Sequence, residues 1–235
     1  MKLKVIVPIV TTEFNKEIAE EIQAVRAPDT EFELANIKSG TNSIESRYDE
    51  YLNAPGIVQS ALDASKEDCD AIFVDCFGDP SVDTIRELVR IPVLGGFTPS
   101  ILMAKAVSQR FSIVTVLPRI VPLLIDLERQ AGVIDEVISN RFVDIPVEQL
   151  GNRQMLLLKL FEQSELAVRE GAQAIILGCT GMLGVAGELQ TLLAAENMPV
   201  PVIDPTQCAI TMLTSMVRMK LLHSRLTYPV HPLQV

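Results

Sequence analysis

A short apolar run that stops at a cysteine occurs twice in this chain, and it limits the possible folds more than any other feature. Ala71-Ile-Phe-Val-Asp-Cys76-Phe-Gly78 and Ala174-Ile-Ile-Leu-Gly-Cys179-Thr-Gly181 each open with Ala-Ile, close on a cysteine and place a glycine two residues later. Brief apolar runs bounded by turn residues are the pattern of strands buried on both faces. A strand-end cysteine repeated after 103 residues in a chain of 235 points to an internal duplication, with one thiol from each half.

The flanking sequence alternates strands and helices in both copies. In the first, strands are expected at residues 4–7, 32–37, 71–75 and 91–94, and Ile18, Ile22 and Val25 mark one face of a helix. Residues 39–53 are polar and weakly periodic, which suggests a surface loop with a short helix at 44–51, of the kind that forms a lid or a subunit contact. A separate helix is expected at 55–65. In the second copy, strands are expected at 111–116, 137–144, 174–177 and 200–203, with helices around Leu123 to Ala131, at 152–170 and at 184–196. Asp79-Pro80, Thr98-Pro99 and Asp204-Pro205 each read as a helix cap followed by proline at the first helical position. A last helix at 210–223 is expected to pack back on the first half.

Such alternation implies an α/β fold: two similar Rossmann-like parallel-sheet domains related by a pseudo-twofold axis, with the active site in the cleft between them. The expected division is residues 1–97 plus 209–235 for the domain with Cys76, and 98–208 for the domain with Cys179. Ligands of parallel sheets bind at the carboxyl ends of the strands, where both cysteines fall.

Composition removes several classes of function. Apolar residues make up 48% of the chain and charged residues 21%, as in a folded protein, and the formal net charge of −10 argues against nucleic-acid or anionic-membrane partners. The amino-terminal apolar run is too short for a membrane span or a signal-peptide core, so a cytoplasmic location is expected. Cysteines 69, 76, 179 and 208 contain no Cys-x-x-Cys spacing and no flanking His pair, so neither a metal site nor disulfides are expected. The glycines around Cys179 fail the Gly-x-Gly-x-x-Gly pattern, which leaves no basis for a nucleotide cofactor.

Cys69 and Cys208 read as small buried hydrophobes. Cys76 and Cys179 differ, because a thiol between a strand end and a helix start meets backbone N–H groups that favour thiolate and draw its pKa below the free value of about 8.5. Thr180 and the amides near Phe77, Gly78 and Gly181 are placed to hold a carbonyl or carboxylate.

Three segments carry a family resemblance. Asp75-Cys76-Phe77-Gly78-Asp79-Pro80, Phe111-Ser-Ile-Val-Thr-Val-Leu-Pro-Arg-Ile-Val-Pro122 and Leu177-Gly-Cys-Thr-Gly-Met182 resemble the hydantoin racemase branch of the aspartate/glutamate racemase superfamily. The resemblance implies a cofactor-independent enzyme in which Cys76 and Cys179 are catalytic and flank the stereocentre. It also implies that Pro8, Phe77, Gly78, Thr115, Thr180 and Gly181 line the substrate site. Where that branch has Asn-Pro-Asn-Thr this chain has Val7-Pro8-Ile9-Val10-Thr11, and Thr98 stands where the branch commonly has glutamate. Ile9, Val10, Phe77, Thr115 and Thr180 would then form a mostly apolar pocket, with Arg119 the one basic side chain that could pair a carboxylate.

The resulting expectation is a racemase or epimerase of a small chiral molecule with an acidic α-hydrogen, foremost a 5-substituted hydantoin, allantoin included, working as a homo-oligomer. The alternatives are an aspartate/glutamate-type amino-acid racemase, a decarboxylase or cis-trans isomerase using one cysteine, and a non-enzymatic sensor or thiol redox protein.

Overall fold

In the computed structural model, which describes residues 1–231, the chain builds two four-stranded parallel sheets of the same strand order. The first contains β1 (Lys2–Val7), β2 (Glu31–Asn36), β3 (Ala71–Val74) and β4 (Val93–Leu94), arranged β2-β1-β3-β4. The second contains β5 (Phe111–Thr115), β6 (Val137–Phe142), β7 (Ile175–Leu177) and β8 (Val202–Ile203), arranged β6-β5-β7-β8. The duplication is therefore one of topology, and β3 and β7, the strands that end at the cysteines, hold the same place in their sheets.

Alternation of side chains across β1 and β3 explains how each sheet buries two faces. Leu3, Val5, Val7 and Phe73 pack with Ile18 and Ile22 of α1 (Asn15–Val25), whereas Ile6, Ile72 and Val74 pack with Ile57 and Ala61 of α2 (Arg47–Ala64) and Ile85 of α3 (Val82–Leu88). Each large side chain buried this way contributes about 1.5–3 kcal/mol. The second sheet is covered by α4 (Phe97–Val107), α5 (Val121–Ala131), α6 (Arg153–Arg169) and α7 (Ala186–Ala195). The final helix, α8 (Pro205–Arg218), returns to the first sheet, where Ala209, Ile210 and Leu213 join the core containing Leu3 and Val5. Of the expected first domain, residues 232–235 lie outside the described residues. Among the described residues no helix is long and apolar enough to cross a membrane.

Three local expectations are corrected. Residues 44–65 do not form two helices: α2 is continuous, capped by Ser46, whose side chain accepts from the Asp49 amide, and Pro55 lies inside it. The bond that proline removes would reach the carbonyl of Tyr51, a residue 74% exposed. Asp79 does not cap the helix that follows it. Its carboxylate accepts from the Phe97 amide at 2.8 Å, the Thr98 amide at 3.3 Å and the Thr98 hydroxyl at 3.0 Å, so it caps α4 from 18 residues away. Thr98 is thereby a donor to the cap, not the cap. Gly95 permits this approach, since a Cβ there would stand 2.2 Å from Asp79 Oδ1. Asp204, by contrast, caps α8 as the sequence suggests, accepting from the Gln207 amide at 3.0 Å.

Candidate active site

Both cysteine turns are built from the strand they terminate. After β3 the Asp75 amide still donates to Ile6 O at 2.9 Å, then the chain folds sharply, with the Cys76 amide reaching Val74 O at 2.7 Å and Gly96 N donating to Cys76 O at 3.0 Å. After β7 the Gly178 amide donates to Val114 O at 2.8 Å, and the Gly181 amide reaches Cys179 Sγ at 3.3 Å. The two turns are tied together, because the Thr180 hydroxyl donates to Asp75 O at 3.2 Å across a sequence separation of 105 residues.

Cys76 and Cys179 together line two adjoining cavities. Pro8, Ile9, Ile44 and Gly181 wall the first, Phe77, Gly78 and Thr115 the second, and Thr180 faces both. The residues expected to line the site are thus brought to it except Arg119 and Val10, the latter packing beside the core on the α2 face of the first sheet. Two of these residues also serve the scaffold. Phe77 stacks edge-on against Phe97 with centroids 5.6 Å apart, and the Thr115 hydroxyl donates to Gly178 O at 3.0 Å. Thr98 lies outside both cavities, and Arg119 is paired with Glu45 rather than free to meet a carboxylate.

The sequence reading missed four polar contributors. Glu45, in the loop before α2, accepts from Arg119 and from the Val147 amide at 2.7 Å, so it ties the roof of the site to the second half. Asn53, fully buried, donates to Pro8 O at 2.8 Å and accepts from the Thr41 amide at 2.7 Å, which holds the same loop over the first cavity. Glu50 lines the second cavity and Asp75 the first. Only the length of the irregular 39–53 stretch hinted at a roof; nothing in its composition singled out these side chains.

Electrostatics reverse one expectation. Burial pushes the Cys76 thiol well above its ordinary value and the Cys179 thiol up to about 12, against the pull of the Gly78 and Gly181 amides. Cys179, Glu50 and Asp75 add to the push on Cys76, as Asp75 and Glu45 do on Cys179. The helix termini are too distant to compete, since α3 and α7 begin at Val82 and Ala186 and their dipoles fade within a turn. Burial likewise pushes the Asp75 carboxyl up to about 7, opposed by the Thr180 hydroxyl. All four cysteines are free thiols, and no cluster of three or more His, Cys, Asp or Glu side chains suited to a metal ion occurs among the described residues.

Comparison with known proteins places this geometry in a family. The family described as Asp/Glu/Hydantoin racemase matches residues 3–213. A hydantoin racemase of Pseudomonas sp. (strain NS671) is 36% identical over 206 residues, covering 87% of this chain and 81% of that protein. Among solved structures, an allantoin racemase from Klebsiella pneumoniae superposes with a TM-score of 0.90 at 33% identity, covering 98% of this chain and 94% of the other. The allantoin racemase of Pseudomonas fluorescens gives 0.91 at 28% identity, with 99% and 97% covered.

Proposed function

Since the chain belongs to the Asp/Glu/hydantoin racemase family, we propose that it racemises or epimerises a small chiral molecule whose stereocentre lies α to a carbonyl, foremost a 5-substituted hydantoin and allantoin among them. The observation that carries this reading is that Cys76 and Cys179 line the same two cavities while no Lys, Arg or His side chain does so among the described residues. One thiolate takes the α-proton, its electron pair moves onto the carbonyl oxygen, and the opposite thiol returns a proton to the other face. Each turnover exchanges the roles of the two sulfurs, so the proton count balances without a further reactant. The Gly181 amide supports a thiolate at Cys179 and the Gly78 amide one at Cys76.

A neutral cyclic ureide suits this site better than a dicarboxylate. Glu45, Glu50 and Asp75 surround the thiols, and Arg119 is already occupied by Glu45. Aspartate, glutamate, malonate or maleate would bring two carboxylates into an acidic, desolvated pocket, an arrangement that like-charge repulsion disfavours. The proposal also places the enzyme in the cytoplasm as a homo-oligomer, which cell fractionation and light scattering test.

Circular dichroism of the L and D forms of a 5-alkylhydantoin, allantoin and glutamate tests the assignment. Decay of optical activity in the hydantoins is expected, with Cys76→Ala and Cys179→Ala each reducing the rate by at least about 10³-fold. Turnover of glutamate alone would overturn the substrate class, and an active single-cysteine variant would overturn the two-base mechanism.

A further inference from the structure

The residue before each strand-end cysteine occupies the same place in the two sheets, one step past the pairs Ile6↔Val74 and Val114↔Leu177. In the second sheet that place has no room for a side chain: a Cβ at Gly178 would stand 2.8 Å from Ile113 Cγ2 and 3.0 Å from Thr115 Cβ. In the first sheet it carries Asp75. Nothing in the strand requires an acid there, as the twin position demonstrates.

The carboxyl group of Asp75 is poorly provided for by the protein. The residue is only 6% exposed, yet its Oδ1 has no hydrogen-bond partner. The Thr180 hydroxyl donates to its backbone carbonyl, and no cation is paired with it among the described residues. Leaving a buried carboxyl oxygen unpartnered costs free energy that replacement by an apolar residue would remove. The side chain lines the cavity that holds Pro8, Ile9, Cys76, Cys179 and Thr180. Because both sulfurs line this same cavity, the carboxyl shares it with any carbon held between them.

We propose that Asp75 is a substrate-binding residue whose free carboxyl oxygen accepts a hydrogen bond from an N–H group on the atom next to the substrate's stereocentre. This deepens, and rests on, the assignment of a two-thiol racemase. The contact would make the site select compounds with nitrogen bonded to the reacting carbon, as in the ring of a hydantoin, over carbon acids that lack it. It would also offset the repulsion between Asp75 and whichever sulfur is deprotonated, because an N–H group partly neutralises the carboxylate.

The test compares an L-5-alkylhydantoin with its N1-methyl analogue in wild type, Asp75→Ala and Asp75→Asn. With the N–H compound, Asp75→Ala is expected to raise KM about 10- to 100-fold while changing kcat less than about threefold, and Asp75→Asn, which keeps a carbonyl oxygen in place, to recover most of the loss. With the N-methyl compound, wild type and Asp75→Ala are expected to have KM values within about twofold of each other. Equal losses on both compounds, as a purely structural role would produce, or no loss on the N–H compound, would overturn the proposal. If wild type racemises neither compound, the functional assignment fails and calorimetric binding of the same pair decides about Asp75: discrimination against N-methylation that Asp75→Ala abolishes upholds the contact, and equal binding refutes it.

Discussion

At the scale of the residue, the site works against ionisation of its own thiols. A thiolate in water costs little at pH 8.5, but Cys76 and Cys179 lie in a desolvated cleft beside carboxyl groups, and both pKa values rise. The raised values mean that the ligand-free protein holds both sulfurs as thiols at neutral pH. The thiolate fraction of each therefore grows about tenfold per pH unit between pH 7 and 9. Iodoacetamide alkylation of the peptide containing Cys179, followed by mass spectrometry, is expected to accelerate by about 100-fold over that interval. A plateau beginning below pH 8 would mean that the amides of Gly78 and Gly181 outweigh burial. For the proposed proton transfer at carbon the same setting has a use, since a weakly solvated sulfur is a stronger base than an exposed one.

At the scale of the element, caps supplied from a distance decide where helices begin and how loops lie. Asp79 stands in the left-handed region, with φ of 51°, and spends its carboxylate on the first amides of α4. Asp79→Ala is expected to lower stability by about 1–2 kcal/mol, read as a fall in Tm of about 2–8 °C, whereas Asp79→Asn, which tolerates the same backbone and retains one acceptor, loses less. Because Phe97 at the head of α4 stacks on Phe77, the alanine variant also loosens a wall of the second cavity. Glu45→Ala releases the roof loop from Arg119 and Val147, and its effect is expected chiefly in KM, which steady-state kinetics would separate from kcat.

At the scale of the whole molecule, the halves are joined by polar groups as well as by the apolar core. Glu21 of α1 accepts from the Gly184 amide, in the loop after Cys179, at 3.4 Å, and its carboxyl faces that of Asp204 at the start of α8. Burial, then the charge of Asp204, pushes Glu21 up to about 9. A native carboxyl that keeps its proton while the unfolded one releases it stabilises the fold fully below the unfolded pKa of about 4.3, and that stability is lost as pH rises towards 9. Glu21→Gln has no proton to lose. Its Tm relative to wild type is expected to climb steadily from pH 4.5 to pH 8.5, reaching a gain of about 4 °C, and a difference that stays constant across this range would exclude a protonated Glu21.

The sequence alone determined the duplicated α/β plan. Apolar runs, their spacing and the repeated Ala-Ile…Cys pattern are local properties of the chain, and they located β3, β7 and both cysteines before any contact was known. Of the three cap-plus-proline pairs only Asp204-Pro205 acts as read, and the helix it opens runs over Pro205–Arg218 rather than the expected 210–223. Asp79 misled because its partners, the amides of residues 97 and 98, become neighbours only when β4 lies beside β3. The same limit hid Asp75, Glu45 and Asn53, whose importance comes from groups 45 to 105 residues distant. Tertiary structure also decided the sign of the thiol shifts, since desolvation depends on everything packed around a sulfur, whereas a strand end and a nearby helix start can be read from a few adjacent letters.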